Sequence, residues 1–150
     1  MKKIILSIAI ALFGLSSTSF AYDSGNVNKQ ALKTFNREFS TAREIVWGTD
    51  GRYSRASFNM NGQVLAAWFN EGGDLVAVTR NITADQLPMN LYTDLKKNFG
   101  SYWISDLFEL ASNGESMYYL TIENADYKIV LKSVDTNYWE VFEKTRKENL

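Results

Sequence analysis

Two Asn-Gly dipeptides, Asn61-Gly62 and Asn113-Gly114, constrain the fold of this chain more than any other feature. The first follows segment 52–60, in which apolar and polar residues alternate as in a half-buried β-strand, and it precedes the largely apolar segment 63–69. Asn and Gly both tolerate positive φ, so each dipeptide predicts a tight turn between paired antiparallel strands. Antiparallel sheet is therefore expected in both halves of the chain.

A helical pattern precedes each group of strands. Apolar residues recur at every fourth position in 26–39, which predicts a helix that Ser24 or Asn26 can cap. A second helix is expected from Pro88, which suits a first helical turn, to Gly100, which suits a helix end.

The order helix, strands, helix, strands predicts an α+β fold with antiparallel meanders. Two tandem units, about 26–82 and 85–144, would each combine one helix with a meander, and they would share one sheet with the helices packed on one face. The strands are expected at 44–47, 52–60, 63–69, 75–82, 102–111, 117–124, 127–133 and 138–144.

The first 21 residues have the three-part layout of a cleavable signal peptide. Lys2 and Lys3 precede an apolar run at 4–15, and Ser19 and Ala21 occupy the −3 and −1 positions of a cleavage site. An uncleaved N-terminal anchor is the alternative, although the apolar run is shorter than the roughly 20 residues of a membrane span.

Cleavage after Ala21 would leave 22–150 as a single domain without a membrane span. The expected location is the periplasm, with secretion as the alternative. The whole chain has a net charge of −1, and losing two lysines makes it only slightly more acidic. No basic stripe is present, so nucleic acid is not an expected partner.

The chain contains no Cys and no His. The core must therefore support the fold without disulfides. The same absence removes Ser-His-Asp and Cys-His catalysis, an imidazole base and Cys/His zinc ligation. We therefore assign no catalytic residue, no cofactor and no metal ligand from the sequence.

A set of apolar and turn residues in the first helix, the first strands and the start of the second helix forms a recognisable pattern. These residues are Phe35, Phe39, Ala42, Val46-Trp47, Tyr53, Ala56, Phe58, Asn61-Gly62, Trp68-Phe69, Glu71-Gly72-Gly73, Leu75 and Leu87-Pro88. The pattern resembles that of the PepSY-like group of exported bacterial proteins, whose fold is similar to β-lactamase inhibitory protein. This resemblance implies a tandem α/β module without established catalysis, and it does not imply inhibition of a β-lactamase.

Several predicted strands are apolar on both faces, which exceeds what one helix-covered face requires. The surplus predicts either an exposed aromatic partner surface or side chains that a twisted sheet buries. The candidate partner-binding residues on the open face are Tyr53, Arg55, Trp68, Tyr119, Lys128 and Lys132.

The expected function is a binding or inhibitor-like module without catalysis, which engages an envelope protein or peptide through the open sheet face. One alternative is a hydrolase that uses paired carboxylates from Glu109, Glu123, Glu140 or Glu143. Another is a structural envelope component that self-associates through the same sheet as a homo-oligomer.

Overall fold

The structure is a computed structural model, and it describes residues 27–148. The predicted signal peptide at 1–21 lies outside the described residues. The elements, in chain order, are α1 (Lys29–Glu38), β1 (Arg43–Asp50), β2 (Tyr53–Met60), β3 (Gln63–Phe69), β4 (Leu75–Asn81), a 3₁₀ helix (Ala84–Gln86), α2 (Met89–Phe99), β5 (Trp103–Ser112), β6 (Glu115–Glu123), β7 (Tyr127–Val134) and β8 (Tyr138–Arg146).

The eight strands are hydrogen-bonded in chain order, from β1 to β8. This meander with two α-helices confirms the predicted α+β class. The chain divides into two compact units within β4, where unit 1 ends at Val78 and unit 2 begins at Thr79. Among the described residues, no helix is long and apolar enough to cross a membrane.

Helix α1 of unit 1 begins after Asn28. The Asn28 Oδ1 accepts the backbone N–H groups of Gln30 at 2.8 Å and Ala31 at 3.4 Å, which satisfies donors that a helix start leaves unpaired. The Asn28 Nδ2 also donates to the Glu71 carbonyl at 2.6 Å, which ties the helix to the β3–β4 turn. The cap therefore differs from the expected Ser24 or Asn26, which both precede the described residues.

Unit 1 pairs β1, β2 and β3 through short connections. The β2–β3 turn has φ values of 53° at Asn61 and 76° at Gly62, as a type I′ turn requires, which confirms the predicted hairpin. Strand β1 is longer than the predicted 44–47, and its register with β2 shifts between Arg43 and Val46.

The core of unit 1 lies between α1 and one face of its strands. Phe35 from the helix meets Phe58 edge-on, with 5.0 Å between ring centroids. Phe39 packs on the same Phe58 ring at 4.8 Å. Ala56, Ala67 and Phe69 complete the buried cluster, so the small alanines let the helix approach the sheet.

Unit 2 opens with a capping box. The Thr83 N–H donates to the Gln86 Oε1 at 2.9 Å, and this box caps the 3₁₀ helix. Pro88 then precedes α2, and Gly100 follows its last residue, as predicted. The β5–β6 turn has φ values of 53° at Asn113 and 78° at Gly114, so it repeats the geometry of the first hairpin.

Trp139 joins α2 to β8. Its indole Nε1 donates to the Leu91 carbonyl at 2.9 Å, and its backbone N–H donates to the Asp94 Oδ2 at 3.0 Å. Trp139 belongs to the buried cluster of unit 2, which also contains Leu95 and Leu120. The helix is therefore held by both apolar burial and buried hydrogen bonds.

Candidate functional site

The open face of each unit is the sheet face opposite that unit's helix. In unit 1, Ala67 and Phe69 of β3 point to α1, as their place in the buried cluster shows. Ala66 and Trp68 alternate with them and therefore belong to the open face. On β2, Arg55 lies between helix-facing positions, and it pairs directly with Trp68.

Arg55 and Trp68 form a cation–π pair on the open face of unit 1. The guanidinium carbon of Arg55 lies 5.3 Å from the centroid of the indole ring. The geometry follows from the register, because directly paired positions of antiparallel strands place their side chains side by side. The β1 residue paired with Arg55 is Gly48, which adds no side chain on that flank.

Trp68 is fully buried, with 0% of its surface exposed. Of the two alternatives that the sequence left open, burial therefore holds at this position, where the Arg55 side chain lies over the ring. The indole Nε1 is buried too, and it has no hydrogen-bond partner in the described part of the chain. The partner-binding assignment of Trp68 stays a prediction.

Tyr53 is the first residue of β2, and Arg55 follows it by two residues, so both lie on the same face of the strand. It is half-buried, as is Arg55. The same face also carries Val64 of β3, which is 63% exposed. The open face of unit 1 therefore combines accessible apolar surface with one arginine.

Tyr119 lies at the centre of an aromatic cluster on the open face of unit 2. Its ring stacks on Phe108 with 5.3 Å between centroids and an interplanar angle of 14°. Phe142 meets Tyr119 at 90° and 6.1 Å. These rings pack against Tyr119, which is 0% exposed, so burial is the alternative that holds here too.

The electrostatic environment of Tyr119 keeps its phenol protonated. Burial, with a smaller contribution from the negative charge of Glu140, raises the pKa of Tyr119 to about 12. A phenol with this pKa cannot serve as a base near neutral pH. Tyr119 is thus a neutral aromatic platform.

Lys128 and Lys132 lie on β7, and both are half-buried. Lys132 pairs directly with Tyr119 on β6 and with Glu140 on β8. Lys128 pairs with Glu123 on β6. The structure therefore brings Lys132 beside Tyr119 but keeps Lys128 four residues away along the same strand.

The acids proposed for a hydrolase have separate partners. Arg80 Nε lies 2.6 Å from Glu109 Oε2, and Ser116 Oγ donates to Glu109 Oε1 at 2.7 Å. Burial alone would raise the pKa of Glu109, but the hydrogen bonds from Ser116 and Arg80 outweigh it and lower that pKa.

Glu123 forms an ion pair with Lys147, whose Nζ lies 2.7 Å from the Glu123 Oε2. The hydrogen bond from Lys147, with a weaker one from Ser105, lowers the pKa of Glu123. Glu140 is exposed on β8 opposite Lys132, and Glu143 is exposed opposite Val130. None of these contacts joins two of the candidate acids in the described residues.

Metal ligation has no matching donor set within residues 27–148, since no group of three or more Asp or Glu side chains is arranged to hold an ion. Asp106, the acid three residues before Glu109, has a partner of its own. Its Oδ1 accepts a hydrogen bond from the Asn81 Nδ2 at 3.0 Å. Burial raises the pKa of Asp106, against the opposing effect of that hydrogen bond.

Three contributors to the open faces escaped the sequence analysis. Phe108 and Phe142 build the cluster around Tyr119, and Gly48 flanks Arg55. The adjacent pair of apolar residues at 107 and 108 was a usable signal, because neighbours on a strand face opposite sides. Alternation also placed Phe142 on one face of its strand together with Tyr138, but its contact with Tyr119 could not be predicted, because the β7–β8 register shifts beside Phe142.

No family model matches the chain, and no curated relative matches it. Solved structures do share its fold. A predicted periplasmic protein from Bacteroides eggerthii is 17% identical with a TM-score of 0.72, and the match covers 81% of this chain and 90% of that one.

A DUF2874 family protein from Bacteroides ovatus is 18% identical with a TM-score of 0.72, over 82% of this chain and 89% of that chain. A BLIP-like protein from Bacteroides fragilis is 16% identical with a TM-score of 0.68, over 85% of this chain and 92% of that chain. The BLIP-like fold expected from the sequence is thus confirmed, whereas the PepSY-like assignment stays a prediction.

Proposed function

We propose that this protein is an exported, non-catalytic binding module, which engages a protein or peptide partner of the bacterial envelope through its open sheet faces. The observation that carries the proposal is a pairing found in each unit. In unit 1, Arg55 pairs across the strands with Trp68, and in unit 2, Lys132 pairs with Tyr119.

This pairing suits recognition. Trp, Tyr and Arg are the residues that most often dominate binding energy at protein interfaces. In unit 1 the Trp68 ring contacts the Arg55 guanidinium and restricts its position, so less side-chain entropy is lost there when a partner binds. Tyr53 and Lys128 would extend the contact area of their units, because both are half-buried on the same faces.

Two observations support an envelope location. The sequence begins with the pattern of a signal peptide, and a protein of the same fold from Bacteroides eggerthii is a predicted periplasmic protein. The absence of Cys and His residues agrees with binding rather than with the commonest kinds of catalysis. Neither the carboxylate hydrolase nor a metal-dependent activity gains support from the contacts of the described acids.

The test is affinity capture from a native periplasmic extract with three baits. The first is the wild-type protein, and the second carries Arg55→Glu and Lys132→Glu. The third is a matched control with Lys33→Glu and Lys97→Glu, which makes the same charge change at exposed helix positions. Substitutions of Trp68 and Tyr119 are avoided because both side chains are buried and their loss would disturb folding.

We expect the wild type and the helix control to retain the same partner, and the Arg55/Lys132 variant to lose it. Circular dichroism establishes that all three baits are folded. Equal retention by all three baits would contradict the proposal. Sedimentation of the wild type alone tests self-association, which the exposed Val46 and Val64 of unit 1 favour as the second candidate function.

A further inference from the structure

Trp68 leaves a hydrogen-bond requirement unmet. Its side chain is fully buried, and its indole Nε1 finds no acceptor among the described residues. An indole N–H can only donate a hydrogen bond, so it is satisfied only when an acceptor lies within reach. A buried donor without an acceptor is destabilising and rare in native proteins, and it therefore calls for an external acceptor.

The side chains next to this donor favour an anion. The guanidinium of Arg55 lies over the same indole ring, 5.3 Å from its centroid. An acceptor that reaches the Trp68 Nε1 therefore arrives beside a permanent positive charge. A neutral carbonyl would satisfy the indole alone, whereas an anion would interact with both groups.

The positions next to this pair carry small side chains. Gly48, which pairs with Arg55 on β1, has no side chain. Ser57 and Ala66, which pair with each other one step along the same face, have short ones. Arg55 is half-buried whereas Trp68 is fully buried, so an incoming group meets the guanidinium before the indole.

We propose that Arg55 and the Trp68 Nε1 form a receptor for the carboxylate of an Asp or Glu side chain on the partner protein. A carboxylate accepts through two oxygens, which matches one arginine and one indole donor, and charge-assisted hydrogen bonds are the stronger kind. This inference rests on the proposed function and names the chemical group that the open face of unit 1 recognises.

The experiment follows the indole N–H resonances of the ¹⁵N-labelled protein, expressed as the full chain and recovered after export. The chain has four Trp residues, and Trp68→Phe assigns the Trp68 signal by its loss. The probes are the peptides acetyl-Ala-Glu-Ala-amide, its neutral counterpart acetyl-Ala-Gln-Ala-amide, and acetyl-Ala-Ala-Ala with a free C-terminal carboxylate.

We expect the Glu peptide to move the Trp68 indole signal downfield in a saturable manner, while the other three indole signals stay in place. The Gln peptide should leave the Trp68 signal unmoved. Arg55→Gln should lower the affinity for the Glu peptide by about tenfold, which is the usual loss when a charged hydrogen-bond partner is removed. Arg55→Lys should restore part of the affinity because it keeps the charge but loses the planar fork.

An unmoved Trp68 signal with the Glu peptide would overturn the inference, and so would equal shifts with the Glu and Gln peptides. A shift produced only by the free C-terminal carboxylate would overturn the assignment to a side chain. Failure here differs from failure of the proposed function. If affinity capture depends on Arg55 and Lys132 but the Glu peptide does not move the Trp68 signal, the proposed binding module is supported and the carboxylate receptor is contradicted.

Discussion

The side chains that distinguish the two open faces are buried aromatics with half-buried cations beside them. Trp68 and Tyr119 form the base, while Arg55 and Lys132 are directly paired with them. A cation held next to a ring keeps its direction better than one on a free flexible stem. Changing the charge at Arg55 and Lys132 should therefore affect partner binding more directly than changing the buried rings.

Glu109 links folding stability to pH. Burial disfavours its charge, but hydrogen bonds from Ser116 and Arg80 dominate and lower its pKa below the usual value of 4.5. The carboxylate therefore stabilises the fold at neutral pH, and this contribution disappears as pH falls below about 4.5 and through the lower folded pKa. Acid should destabilise the protein partly through this residue.

We expect Glu109→Gln to reduce the free energy of unfolding at pH 7 and to make its decline between pH 6 and pH 3 shallower, in the acid range where the carboxylate titrates. Urea unfolding at a series of pH values measures both effects. Glu115→Gln, at an exposed position of β6, is the control and should leave the pH profile unchanged. A Glu109→Gln profile parallel to that of the wild type would contradict this role.

Alternation in the sequence predicted which face Trp68 and Tyr119 occupy, because strand residues switch sides at every step. It could not predict their burial, which depends on neighbours that alternation does not identify. Arg55 covers Trp68 because of the β2–β3 register, and Phe108 and Phe142 enclose Tyr119. The spacing of the acidic residues along the chain likewise could not predict that Glu109 and Glu123 each contact a different basic residue.

Among the elements, α1 and the β3–β4 turn fit together most closely. Gly73 has a φ of +84°, and a methyl group at this position would come within 2.6 Å of the Gln30 carbonyl carbon. Asn28 joins the same contact by donating to the Glu71 carbonyl. The helix therefore rests directly on the backbone of the turn.

We expect Gly73→Ala to lower the free energy of unfolding by more than about 2 kcal/mol, because it adds a steric clash to the cost of positive φ. Gly62→Ala is the matched control. Gly62 has a φ of +76°, but a methyl group there meets no described atom within 4 Å. Urea unfolding of the two variants separates the two costs, and equal losses would show that the helix does not restrict this turn.

The sequence predicted those turns and helix ends whose conformation depends on one or two residues. The Asn-Gly turns follow from the positive φ that Asn and Gly tolerate. Gly100, by contrast, has an ordinary φ of −62°, and a methyl group there would come within 2.8 Å of the Lys96 carbonyl oxygen. Strand β1 was predicted too short because Gly and Asp are uncommon in strands, yet Gly48 and Asp50 pair with β2. The positive φ of +53° at Glu44, which contacts Asn59, had no signal in the sequence.

For the molecule as a whole, the predicted signal peptide would determine where any partner is met. We expect the exported protein to begin at Tyr22, because the small residues at 19 and 21 fit signal peptidase. Intact mass spectrometry of the periplasmic fraction measures this. Ala21→Leu should block processing, and Ala21→Ser, which keeps the position small, should not.

An unprocessed chain that stays in the cytoplasm would contradict this assignment. The same result would remove the envelope from the proposed function, although it would leave the open faces intact as binding surfaces.

The fold of the whole chain was predictable because hydrophobic spacing and turns define it. Structures of the same fold are only 16% to 18% identical to this chain. Residue identity can change this far while the alternating and helical patterns persist, since the core requires apolar volume more than particular side chains. The partner depends instead on individual surface residues, which is why its identity does not follow from the same patterns.

The order of the strands has a further consequence for how the protein folds. Each strand pairs with the strand that comes next in the chain, so no pairing waits for a distant segment to arrive. Local pairings have small loop-closure costs and form quickly. If the protein is exported unfolded, as the predicted signal peptide implies, its sheet can form in the order in which the strands leave the channel, with only the segment that contains α2 intervening between β4 and β5. Each hairpin covers the edge of the one before, which limits the time during which an unpaired edge is open to aggregation.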